Sequence, residues 1–96
     1  MMDKKDILKW AEQRELLKPE NAKAQTIKLM EEVGELCGAI LKGKPTEQID
    51  AIGDIQIVLI ILAKQLGIDY DAALESAYDT IKARTGKTVG WSFIKD

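Results

Sequence analysis

Glu47-Gln48-Ile49-Asp50-Ala51-Ile52-Gly53-Asp54-Ile55-Gln56-Ile57-Val58-Leu59-Ile60-Ile61-Leu62-Ala63-Lys64-Gln65 is the stretch that decides the fold. Thr46 precedes it as a helix cap, Gly67 follows as a stop, and from Ile55 onward it is almost wholly apolar. A helix apolar nearly all round has to be covered by the rest of the chain. Working back from it, Gly43-Lys44-Pro45 closes a helix predicted from about Asn21 to Lys42, whose Ala22, Ile27, Leu29, Met30, Val33, Leu36, Cys37, Ile40 and Leu41 form a wide apolar face. Before that, Asp3 or Asp6 caps a first helix that carries Ile7, Trp10, Ala11 and Leu17 and ends ahead of Pro19. After the central helix, Asp69 or Asp71 starts a fourth, with Ala73, Leu74, Ala77, Tyr78 and Ile81, ending at Thr85-Gly86 on a glycine C-cap.

The last ten residues hold Val89, Trp91, Phe93 and Ile94 in near alternation and read as an extended tail with no strand to pair with. The expectation is an all-α fold, a four-helix bundle or pair of helical hairpins with a short extended C-terminal tail, in a single domain over residues 1–96. Four short helices would struggle to cover the central one, so a homodimer or homotetramer is expected to bury its remaining side.

Composition narrows the chemistry. The 96 residues contain no histidine, which excludes Ser/His/Asp and Cys/His nucleophilic machines and zinc sites built on imidazole. A single cysteine, Cys37, excludes an internal disulfide and suits a reducing cytoplasm; on the apolar stripe of its helix it reads as packing. A net charge of −2 gives no electrostatic case for long nucleic acid. Met1 to Asp6 mixes charges with no apolar stretch behind it, and the apolar run Ile57 to Ala63 is far short of the ~20 residues of a membrane span, so neither a signal peptide nor a membrane partner is expected.

Two helices carry acids where a simple amphipathic bundle would not. The second has Glu31-Glu32-Val33-Gly34-Glu35 and the third has Asp50-Ala51-Ile52-Gly53-Asp54. Residues three or four apart share a helical face, so Glu31 or Glu32 stacks with Glu35, and Asp50 with Asp54. The five-residue loop Lys42 to Thr46 makes the helices antiparallel neighbours, able to face their acids across one gap. A glycine inside a helix costs about 0.5–1 kcal/mol relative to alanine, and one precedes the key acid in both, as close helix approach would justify. An oxygen-only cluster without histidine or cysteine points to Mg²⁺, with Mn²⁺ as substitute, and Mg²⁺ points to phosphate chemistry. The plainer reading is a solvated acidic face.

Glu31-Glu32-x-x-Glu35, followed on the next helix by an acid set ending in Asp54, resembles the MazG-like nucleotide pyrophosphohydrolases of the all-α NTP pyrophosphatase superfamily. Ile81-Lys82-x-Arg84-x-Gly86-Lys87 and Gly90-x-x-Phe93-Ile94-Lys95 resemble its small phage-type members, so that the likeness covers roughly residues 21–96. The resemblance implies an Mg²⁺-dependent oligomeric hydrolase that splits nucleoside triphosphates into monophosphate and pyrophosphate. It assigns Glu32, Glu35 and Asp54 as metal ligands. One position departs: the family's second motif is Glu-x-x-Asp, and Ala51 stands at its first acid, leaving Asp50 as the substitute ligand. Glu31, a spare carboxylate, would orient the water that attacks the α-phosphorus.

Lys28, Lys82, Arg84, Lys87 and Lys95 are candidate triphosphate ligands, Arg84 being the best suited to bidentate contact. Against this, Lys28 also fits an i,i+4 pair with a glutamate, and the cations ending the fourth helix also complement its dipole. Trp10 is the preferred stacking partner for a nucleobase, core packing being its plainer role. Two other functions remain open, a nucleotide- or metal-binding regulatory module without turnover, which Ala51 invites, and a purely structural helical dimer.

Overall fold

The computed structural model describes residues 1–90 and 92–95, apart from the Lys95 side chain. The tail reading of Trp91 and the phosphate reading of Lys95 therefore lie outside the described side chains. The described chain runs α1 (Lys4–Gln13), a 3-10 turn (Pro19–Asn21), α2 (Ala22–Leu41), α3 (Pro45–Gln65), α4 (Tyr70–Lys82), β1 (Gly86–Val89) and β2 (Ser92–Lys95).

The mostly helical fold follows the apolar periodicity, and the helix ends follow local chemistry. Asp3 accepts from the Lys5 and Asp6 amides while the Asp6 carboxylate takes the Asp3 amide, a reciprocal cap that starts α1. α1 stops at Gln13, earlier than the sequence suggests, because Glu15 turns into the left-handed region at φ 57°; Leu16 and Leu17 then sit half-buried in the connection. α2 and α3 close with the same device. Gly43 (φ 63°) and Gly67 (φ 71°) take the left-handed turn, and the amides of Lys44 and Ile68 reach back to the carbonyls of Ala39 and Ala63. α3 opens with Pro45 in its first turn after Lys44, so Thr46 lies inside the helix and is not its cap. Asp69 caps α4 by accepting from the Ala72 amide.

The centre of the molecule is the antiparallel pair α2–α3, with α1 laid on α3. α3 supplies most of the buried apolar side chains, Ala51, Val58, Ile60 and Ile61 among them. Glutamines pin the assembly. Gln25 Nε2 on α2 donates to the Val58 carbonyl on α3 (3.2 Å), Gln48 Nε2 on α3 donates to the Ala39 carbonyl on α2 (3.2 Å), and Gln65 Nε2 donates to the Leu16 carbonyl (2.7 Å).

Four further local expectations are corrected. A Cβ built on Gly34 or Gly53 would meet nothing within 4 Å, so close helix approach does not explain either glycine. Cys37 is exposed, turned off the packed face. α4 ends at Lys82 with Ala83 as C-cap, and Gly86 opens a strand. The extended tail does find a partner, itself. β1 and β2 pair antiparallel, Lys87 opposite Ile94 and Thr88 opposite Phe93, around Gly90 at φ 63°.

Candidate metal centre

α2 and α3 carry their acids to one gap, with the Gln25 and Gln48 bonds fixing the helix register on either side of it. Glu32, Glu35 and Asp54 each offer a carboxylate oxygen, and the three oxygens lie within 4.8 Å of one another. Glu32 is the inner member, 6% exposed, while Glu35 and Asp54 face solvent. The Lys28 ammonium sits 3.3 Å from Glu32 Oε1, one turn earlier on α2. Glu32 Oε2 is buried without a hydrogen-bond donor. A buried carboxylate oxygen with no donor is costly, and a cation held beside it removes that cost.

The electrostatics agree with the geometry. The neighbouring Glu32 carboxylate holds Glu35 above its ordinary pKa, by like charge first and then by the hydrogen bond that a protonated Glu35 donates to it. Desolvation and the Asp54 charge act in the same direction, and Lys28 opposes them. Three carboxylates this close repel unless a proton or a metal lies between them. The donor set is all oxygen, as hard divalent cations prefer, and these residues can hold a metal ion.

Beside the cluster opens a cleft of about 620 Å³, within the range that takes a small-molecule ligand. Glu31, Glu35, Glu47, Asp50, Asp54 and Lys42 contribute to its walls. Gly34 and Gly38 line it too, and the missing side chains at these two positions keep its floor open. Asp50 thus shares the cleft with Asp54 but lies outside the three-oxygen group, and Glu31 stands exposed on the α2 wall. Ala51, buried, places a methyl between helices where the resembled motif has an acid.

The other sequence candidates are not brought to this cleft within one chain. Trp10, on α1, is about half exposed and stacks under the Arg14 guanidinium, 4.3 Å from its ring centroid. Lys82 pairs with Asp79 (3.0 Å) and lies over the Tyr78 ring, 5.7 Å from its centroid. Arg84 and Lys87 are exposed beyond α4, which among the described residues packs on α3 and leaves it at 107°. Sequence reasoning missed Gln25 and Gln48, which set the register of the acids, and Lys42 and Glu47 on the cleft wall. The signal for Gln25 was a polar side chain on an otherwise apolar stripe.

An antiparallel helical pair presenting an oxygen-only acid triad over an open cleft defines a class, the all-α proteins whose clustered carboxylates can hold a metal ion. The chain belongs to the MazG-like family, whose model matches residues 15–88. Proteins of that family are generally nucleoside triphosphate pyrophosphatases. Over 65 residues the chain is 51% identical to an uncharacterized 18.2 kDa protein in the rep-hol intergenic region of Haemophilus phage HP1 (strain HP1c1). That alignment covers 68% of this chain and 40% of the phage protein's length. No solved structure gives a significant match. No single helix among the described residues is long and apolar enough to cross a membrane.

Proposed function

We propose that the protein is an Mg²⁺-dependent nucleoside triphosphate pyrophosphohydrolase, converting a (d)NTP and water into the (d)NMP and pyrophosphate. The observation that carries this reading is the Glu32–Glu35–Asp54 triad with its undonated, buried Glu32 Oε2, opening onto a cleft of nucleotide-compatible size. Mg²⁺, or Mn²⁺ in its place, would be held by Glu32, Glu35 and Asp54 with Asp50 alongside, and when bound it supplies positive charge against the phosphate oxygens.

The chain's own residues divide the remaining work. Glu31, exposed on the cleft wall and without an ion-pair partner among the described residues, takes the proton of the attacking water as the water adds to the α-phosphorus. The bond from the α-phosphorus to the bridging oxygen breaks, and its electron pair leaves with pyrophosphate. Lys28 neutralises Glu32 and, when a metal relieves it of that duty, is free to meet a phosphate. Arg84, Lys87, Lys82 and Lys95 are the proposed clamps on the triphosphate and Trp10 the proposed base-stacking side chain, roles that call for a movement of their elements or for a second chain.

The test is a panel of ribo- and deoxyribonucleoside triphosphates incubated with the full chain and Mg²⁺, with pyrophosphate and orthophosphate measured separately. Equimolar monophosphate and pyrophosphate, lost on chelation, is the expected result. Orthophosphate without pyrophosphate, or no turnover with any nucleotide or metal, sinks the proposal.

A further inference from the structure

We propose that the cavity between the start of α1, the second half of α3 and the first residues of α4 binds a small organic anion, one with an anionic oxygen head on an apolar or aromatic body. The cavity has a volume of about 580 Å³, a size that takes a small molecule, and shares no wall residue with the acid-lined cleft. Its walls divide by chemistry. Leu8 of α1, Ile60 of α3, Ile68 of the connecting turn and the Tyr70 ring supply the apolar part, Ile60 being buried and Leu8 and Tyr70 half-buried. Aliphatic side chains with one aromatic ring are a lining that receives the body of a ligand. Asp3, Lys4, Lys5 and Leu8 precede residue 15, where the family match begins, so the cavity depends on a helix outside the acid motifs.

The polar part of the wall leaves two cations over. Asp3 accepts from the Lys5 and Asp6 amides, Asp69 accepts from the Ala72 amide, and Asp71 pairs with Lys4 at 3.0 Å, so each aspartate of the wall is already engaged within the chain. Lys5 and Lys64 line the same cavity, and neither has an ion-pair partner among the described residues. Lys5 stands in the first turn of α1, at the positive end of the helix dipole, where a cation is disfavoured. Its neighbour Lys4 has Asp71 to offset that cost, and Lys5 has nothing. Lys64 reaches the cavity from the last turn of α3 and adds a second charge of the same sign. An anionic head met by both ammoniums relieves their repulsion and offsets the helix end, while the body covers Leu8, Ile60 and Ile68. A lysine is a mobile point charge with three donors and suits carboxylate and phosphate oxygens alike.

Amide chemical-shift mapping of the full chain, free of divalent metal, tests this with phenyl phosphate and, separately, phenylacetate, each titrated to about 10 mM, the range in which a fragment of this size meets its site. The two probes join one aromatic ring to a phosphate or to a carboxylate. At least one should shift the amides of residues 3–8 and 60–71, and a response to one alone assigns the head. Lys5→Gln/Lys64→Gln should weaken that binding about tenfold or more, and inorganic phosphate and phenol, the head and the body alone, should bind about tenfold more weakly than the joined probe. The proposal is overturned if neither probe shifts these amides, if head or body alone binds as tightly as the probe, or if the double variant keeps the parent's affinity. Should the variant fail to fold, the parent's shift map and its comparison with phosphate and phenol decide. No readout involves nucleotide turnover or a divalent ion, so the site stands or falls apart from the proposed hydrolase activity.

Discussion

The Lys28 ammonium lies 3.3 Å from Glu32 Oε1, one exposed side chain holding the charge of one buried carboxylate whose other oxygen has no donor. Lys28→Met removes that counter-charge and leaves Glu32 buried and uncompensated. Breaking a fully buried pair costs about 3–5 kcal/mol, and the exposure of Lys28 reduces this to about 1–2 kcal/mol. Urea denaturation without divalent ions should show that loss, and saturating Mg²⁺ should shrink it. If Lys28 serves only a phosphate, the variant keeps its stability and changes KM alone.

Divalent-ion binding to the triad should raise the melting temperature, because the three oxygens come within 4.8 Å only when α2 and α3 are assembled. Binding to the folded state alone contributes about 2.7 kcal/mol when free metal is about a hundredfold over Kd. Glu32→Gln and Asp54→Asn should each abolish the Mg²⁺-induced shift. A melting curve of the parent chain that ignores both Mg²⁺ and EDTA excludes the metal centre.

Glu35 gives the pH dependence. Its carboxyl is held above its ordinary pKa by Glu32, so the folded state binds this proton more tightly than the unfolded state does. The associated stabilisation is complete below the unfolded pKa and is lost as pH rises through the raised folded one. Without metal, therefore, the parent chain should lose stability as pH rises through the range just above the ordinary glutamate pKa. Glu35→Gln should flatten that slope, melt higher than the parent at neutral pH, and lose its response to Mg²⁺. Melting curves of both proteins across that range test all three outcomes.

The facing acid stripes were legible from helical spacing and a short loop, whereas the choice of Glu32, Glu35 and Asp54 among their members came from the family resemblance. The helix termini were legible wherever a glycine or aspartate side chain determines them, as at Asp3, Gly43, Gly67 and Asp69. What spacing could not show was depth: Glu31 and Glu32 are adjacent in sequence, yet Glu31 faces solvent and Glu32 lies at the α2–α3 contact. Nor could it show that Gly34 borders an open cleft and not a neighbouring helix. The tail was read without a partner because its two strands pair across a turn at Gly90, and Val89, Trp91, Phe93 and Ile94 read as one continuous alternation hide that break.

Arg84 and Lys87 separate phosphate binding from helix-dipole compensation. Both are exposed, and neither has an ion-pair partner among the described residues, whereas Lys82 is tied to Asp79. Arg84→Ala and Lys87→Ala should leave the melting temperature within about 2–4 °C of the parent, since exposed substitutions of this kind cost under about 0.5 kcal/mol. Steady-state kinetics should show KM for the nucleotide raised about tenfold, the loss of one charge-assisted contact. An unchanged KM in both variants removes these cations from the substrate site.

Asp50 and Asp54 share a helical face and a cleft, yet only Asp54 belongs to the three-oxygen group, so their amide variants should not be equivalent. Asp54→Asn withdraws a ligand charge, and both turnover and the metal-induced stabilisation should vanish. Asp50→Asn withdraws a charge one helical turn away, beside the buried Ala51 methyl that stands where the resembled motif carries an acid. A group that supports a metal without being among its closest ligands typically contributes about 10–100-fold, and a loss of that size, accompanied by weaker Mg²⁺ dependence, is expected. Full activity in Asp50→Asn would mean that the centre operates on Glu32, Glu35 and Asp54 alone, and a loss as deep as that of Asp54→Asn would mean that Asp50 swings in to complete it. Activity measured across a Mg²⁺ titration tells the three outcomes apart, since a lost ligand shifts the half-saturating concentration and a distant charge mainly lowers the plateau.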